Sequence, residues 1–101
     1  QARYREFMSF INHRQRDFLK ILIDNPDGRT DKVLRQELKL DSNLALAGVT
    51  AALVKNARKV GILKAEEIFK KEVMRQGDEK VLEYSLAEPL REIARFEDLG
   101  N

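Results

Sequence analysis

Lys80-Val81-Leu82-Glu83-Tyr84-Ser85-Leu86 decides how this chain folds. Leu82, Tyr84 and Leu86 fall on one side of it, the period of two that marks a half-buried strand. A strand leaves its N–H and C=O groups unpaired unless a neighbour takes them. The candidate next door is 62–74, joined through Gln76-Gly77-Asp78-Glu79, whose glycine and acidic residue suit a hairpin turn. Local propensity argues for a helix instead. Ala65-Glu66-Glu67-Ile68-Phe69-Lys70-Lys71-Glu72 is rich in helix formers, with Glu66/Lys70 and Glu67/Lys71 as i, i+4 pairs. The need for a strand partner outweighs that propensity. We therefore expect a β-hairpin, with Leu63, Ala65, Phe69 and Val73 on one face, interrupted by Glu67 and Lys71.

Upstream, the period changes to that of helices. Tyr4, Phe7, Met8 and Ile11 form an apolar stripe over residues 2–11. Asn12 followed by Gln15 reads as a capping box that restarts a helix at His13, running to about Asp24 with Phe18, Leu19, Leu22 and Ile23 inward. Asn25-Pro26-Asp27-Gly28 stops it. Thr30 or Asp31 caps a short helix through Leu38. After Asp41-Ser42-Asn43, the residues Leu46, Val49, Leu53, Ala57 and Val60 keep one stripe for four turns, ended by Gly61. A helix, a short turn and a second helix on one core make a helix-turn-helix. The last helix, 88–99, opens at Glu88-Pro89 and carries Leu90, Ile93, Ala94 and Phe96, fraying near Gly100.

Composition bounds the chemistry. The chain has 101 residues and no cysteine, so disulfide scaffolds, thiolate zinc sites and thiol catalysis are excluded. His13 is the only histidine and reads as a solvated first-turn residue. Met8 and Met74 read as gap-fillers rather than ligands. Glu66-Glu67 and Asp78-Glu79 are sequence neighbours that point apart, and no phosphate loop, serine elbow or zinc spacing occurs. No enzymatic activity, cofactor or metal is expected. No apolar run approaches a membrane span and no signal-peptide pattern is present, which together with the missing cysteines points to a cytoplasmic setting. The chain begins at Gln1 rather than Met, as expected of a domain cut from a longer protein or a chain trimmed of a tag. The net charge of +2 is uneven: residues 1–28 carry +1, 29–61 carry +4 and 62–101 carry −3. Positive charge concentrated in the middle third suggests a polyanion partner.

The element order is three helices, a hairpin and a closing helix, with one more helix in front. Together with Ala57-Arg58-Lys59-Val60-Gly61-Ile62-Leu63 and Gly77-Asp78-Glu79-Lys80-Val81-Leu82-Glu83-Tyr84-Ser85-Leu86, it resembles the winged helix-turn-helix superfamily over about residues 12–95. The run 57–63 resembles the end of a recognition helix and a first wing strand. The run 77–86 is similar to a wing tip and its returning strand. The resemblance implies a mainly α fold with a small β-hairpin: one domain over 1–101, comprising an N-terminal helix (2–11), helix-turn-helix and wing (12–87) and a C-terminal helix (88–99).

It further implies double-stranded DNA binding, in a transcriptional regulator or as a module of a larger protein. The helix from about Leu44 to Val60 would enter the major groove, and the wing, about Arg75 to Lys80, would reach a neighbouring backbone or minor groove. Ser42, Asn43 and Thr50 offer neutral polar groups near the helix start. Lys39, Lys55, Arg58 and Lys59 suit phosphates, and Arg75, Gln76 and Lys80 belong to the wing. Opposite the core stripe, however, the helix presents Gly48, Ala51, Lys55 and Arg58, with Ala47 and Ala52 beside them, few of which discriminate bases. Three accounts fit that bland face: DNA bound with limited direct readout, a protein partner, or plain packing of a buried alanine run. A homodimer through the terminal helices, Tyr4/Phe7/Met8/Ile11 and Leu90/Ile93/Phe96, is the other partnership the sequence suggests.

Overall fold

Tyr4, Phe7, Met8 and Ile11 are all buried, and the first three form the inner side of α1 (Ala2–Phe10). The computed structural model describes the backbone of residues 2–96 and the side chains of residues 3–92. Asn12 then starts α2 (His13–Asp24) through the expected capping box: its side chain accepts the Gln15 N–H at 2.9 Å, and Gln15 Oε1 accepts the Asn12 N–H at 3.2 Å. The Arg16 guanidinium donates to the Met8 carbonyl at 3.0 Å and holds the two helices at their joint. His13 is exposed, its Nε2 lying 3.2 Å from Asp17 Oδ2.

The turn after α2 leads into a strand that sequence reading does not anticipate, β1 (Arg29–Thr30). Two residues are too few to show alternation. Gly28 makes the strand possible: it sits at φ +93°, and a Cβ there would lie 3.0 Å from the Tyr84 carbonyl oxygen. Thr30 caps α3 (Asp31–Leu38), its hydroxyl oxygen accepting the Val33 N–H. That helix ends with Lys39 in the left-handed region at φ 57°. Ser42 Oγ accepts the Ala45 N–H at 3.1 Å and opens α4 (Asn43–Lys59), which buries Leu46, Val49, Leu53 and Ala57 as the stripe predicts. Gly61, at φ +87°, follows its end.

Residues 62–68 correct the sequence reading. The strand expected from 62 starts only at Phe69, after a single 3-10 turn at Ala65–Glu67. Glu67 reaches back to accept the Lys64 N–H at 3.1 Å, so the helical preference of Ala65-Glu66-Glu67 is satisfied by one turn. Ile62 and Ile68 are the buried residues here, whereas Leu63 is 67% exposed, so the expected Leu63/Ala65/Phe69/Val73 face does not form. The Tyr4 hydroxyl donates to the Glu67 carbonyl at 3.2 Å and ties this turn to α1.

The hairpin itself forms, from β2 (Phe69–Gln76) and β3 (Glu79–Leu86), antiparallel with Gln76 opposite Glu79 and Phe69 opposite Leu86. Its two-residue loop has Gly77 first at φ +66°, the glycine-first turn whose twist matches the strands. β3 also pairs with β1, so the sheet has three antiparallel strands in the order β1-β3-β2 rather than two. Phe18 of α2 meets Phe69 and Tyr84 edge-on, at centroid distances of 5.9 and 5.8 Å. Each such ring stabilises the fold by about 1.5–3 kcal/mol through burial, with about 1 kcal/mol more from ring pairing. Burial also pushes the Tyr84 hydroxyl pKa up, with the Asp31 carboxylate adding to it.

The last helix is α5 (Glu88–Phe96), with Pro89 in its first turn and Leu90 buried. The Ile93, Ala94 and Phe96 side chains, the expected continuation to 99 and the fraying near Gly100 lie outside the described residues. The described chain is therefore mixed α and β, with five α-helices and one antiparallel sheet.

Candidate functional site

The rotational setting of α4 decides which residues it offers outward. Its inner stripe packs on the core, and Asn56 donates its side-chain amide to Gln15 Oε1 of α2 at 3.0 Å. The opposite face then presents Leu44, Ala47, Gly48, Ala51, Lys55 and Arg58, all exposed. A Cβ on Gly48 would meet nothing within 4 Å. This removes the plain-packing account of the small residues, because Ala47, Gly48 and Ala51 are not buried under a covering element. Leu44, 83% exposed, extends the same face toward the helix start.

Hairpin register sorts the remaining candidates. Side chains alternate across a strand, and directly opposed residues share a face. Phe69, Lys71, Val73 and Arg75 of β2 therefore share a face with Leu86, Tyr84, Leu82 and Lys80 of β3. That face buries Phe69, Tyr84 and Leu86 at its root and carries three cations and no carboxylate toward the tip. The other face holds Lys70, Glu72, Met74 and Gln76 against Ser85, Glu83, Val81 and Glu79, three carboxylates and one cation. Arg75 and Gln76 thus point to opposite sides. Met74 is exposed on the acidic side rather than filling a gap, while Met8 is buried as expected.

The small-residue side of α4 and the root of the hairpin's cationic face border one cleft. A cleft of about 520 Å³ has Ala47, Thr50, Ala51 and Val54 of α4 on one wall and Phe69 and Lys71 on the other, with Glu66 at its rim. Sequence reading passes over Lys71, treating it as a break in an apolar face; its shared parity with Arg75 is the signal that finds it. Among the described residues, Lys55, Arg58, Lys71, Arg75 and Lys80 form no ion pair or hydrogen bond through their side chains. Another cleft, of about 220 Å³ between α2 and α3, carries Asp17, Asp24 and Glu37 against Lys20 and disfavours an anion.

The remaining expected residues divide. Lys39, Ser42 and Asn43 lie around the turn before α4, with Ser42 engaged as its cap. The Thr50 hydroxyl donates within the helix to the Ala47 carbonyl at 3.1 Å, leaving only its lone pairs outward. Lys59 Nζ stands 6.0 Å from the Phe10 ring centroid, a cation–π contact at the far end of the helix. Beyond these, Arg29 of β1 is taken up locally, donating to the Gly28 carbonyl and to Asn25 Oδ1. Tyr4, Phe7, Met8 and Ile11 belong to this chain's own core, whereas Phe10 is exposed.

Among the described residues there is no cluster of three His, Asp or Glu that could hold a metal ion, and no helix long and apolar enough to cross a membrane. No family model, curated protein or solved structure matches the chain.

Proposed function

We propose that this chain is a winged helix-turn-helix domain that binds double-stranded DNA, with α4 as recognition helix and the β2–β3 hairpin as wing. It would serve a transcriptional regulator or the DNA-binding part of a larger protein. The sorting of charge across the hairpin carries the reading. Arg75 stands opposite Lys80, and Glu72 opposite Glu83, two like-charged pairs where opposite charges would steady the strands. That arrangement costs stability and creates a one-sided cationic surface on the wing, while Lys55 and Arg58 stand exposed on α4. A polyanion seated against that surface offsets the repulsion. The exposed alanines let the helix approach base edges closely but supply no bidentate donors, so affinity comes chiefly from phosphate contacts.

An electrophoretic shift on random-sequence duplex tests this. Retention at low salt that falls steeply as salt rises, and falls further in Lys55→Ala and Arg58→Ala, supports the reading. Absence of any shift at low salt contradicts it. Exposed Leu44, with Val73 at 65% exposure on the wing, favours a second reading, a protein-interaction module without DNA binding. That reading expects no duplex retention and a partner lost on Ala51→Glu.

A further inference from the structure

We infer that the cleft between α4 and β2 seats one sugar–phosphate strand of the duplex, with Lys71 as its phosphate contact and Lys70 turned away from it. This rests on the DNA reading above and concerns how the same surface meets its ligand. If the first half of α4 enters a major groove, the strand bordering that groove on the hairpin side must pass between helix and wing. The walls fit such a strand. On the helix side Ala47 and Ala51 end in methyl groups and keep the passage open, and the Thr50 oxygen presents lone pairs only, its proton being held by Ala47. On the strand side Lys71 enters the cleft, and Arg75 continues the same face four residues further on. Four residues of strand span about 13 Å, a length over which one DNA strand presents several phosphates at about 3.4 Å of rise each. The two cations therefore serve different phosphates.

Lys70 supplies an internal comparison. It carries the same charge one position away, yet its side belongs to the face with Glu72, Glu79 and Glu83, which repels a phosphate strand. Glu66 at the cleft rim is the one carboxylate there that opposes the strand.

Fluorescence anisotropy with a labelled random-sequence duplex, over a salt series, separates these roles. Glu66, Lys70 and Lys71 are all exposed, so their variants are expected to fold, and matched thermal melts verify it. Lys71→Ala is expected to weaken binding about three- to tenfold at low salt and to reduce the salt slope by about 0.9. Lys70→Ala, with the same loss of net charge, leaves the slope unchanged. Glu66→Gln tightens binding about two- to threefold. Equal losses in the two lysine variants, or no loss in Lys71→Ala, overturn the cleft assignment while the DNA reading stands. A wild-type chain that fails to bind duplex at low salt overturns both.

Discussion

Asn56 of α4 donates to Gln15 of α2 through a 3.0 Å hydrogen bond, and the same Gln15 oxygen closes the capping box by accepting the Asn12 N–H. One buried glutamine thereby links the start of α2 to α4, whose buried Leu46, Val49, Leu53 and Ala57 turn Ala51, Lys55 and Arg58 outward. Gln15→Leu strands the Asn56 amide and half of the capping box. We expect a loss of about 1–3 kcal/mol in a urea titration with an unchanged m value. Asn56→Ala, which frees only one partner, should cost less.

The like-charged pair at the hairpin tip predicts a trade between stability and binding. Arg75→Glu places a carboxylate opposite Lys80 and should raise stability slightly, since both groups are exposed. The same change removes one cation and adds an anion to the proposed DNA face, so duplex affinity should fall more than about tenfold at low salt. Melting curves and anisotropy on the same sample check both directions.

Two glycines should respond with opposite signs to alanine. Gly28→Ala forces a side chain to φ +93° and against the Tyr84 carbonyl, where β1 meets β3. It should destabilise by about 1–3 kcal/mol. Gly48→Ala sits mid-helix in open space and should stabilise by about 0.5–1 kcal/mol. Thermal denaturation of the pair reads the contrast directly.

Alkaline pH should weaken the fold through its two buried tyrosines. Burial raises the hydroxyl pKa of both Tyr4 and Tyr84, with Glu67 and Asp31 respectively adding to the rise. Above the ordinary tyrosine value of 10.0 the unfolded chain therefore loses these protons before the folded chain does, and stability falls as pH rises from there through the folded-state values. Below that pH the contribution of these groups is fully present. Tyr84→Phe should flatten the decline in denaturation curves taken on either side of it.

Much of the architecture is legible because its signals are local. The Asn12/Gln15 box, the α4 stripe and the alternation of Leu82, Tyr84 and Leu86 each declare themselves within a few residues. β1 is not legible, since its pairing depends on Gly28 approaching Tyr84, far away along the chain. Residues 62–68 mislead because Ile62 and Ile68 are buried without a repeating period, in a segment folded by contacts such as Tyr4 to Glu67. The candidate site is half visible in the sequence. Lys55 and Arg58 follow from helical phase, but the difference between Lys70 and Lys71, or Arg75 and Gln76, needs the strand register and the packed root of the hairpin.

The steepness of duplex affinity against salt tests the central claim most directly. Five outward cations, Lys55, Arg58, Lys71, Arg75 and Lys80, engaging one phosphate each give a slope of log K against log salt of about −4.5. A slope close to that value for the wild-type chain agrees with a cationic helix-and-wing surface laid on DNA. A slope near zero, or no measurable binding at low salt, contradicts it.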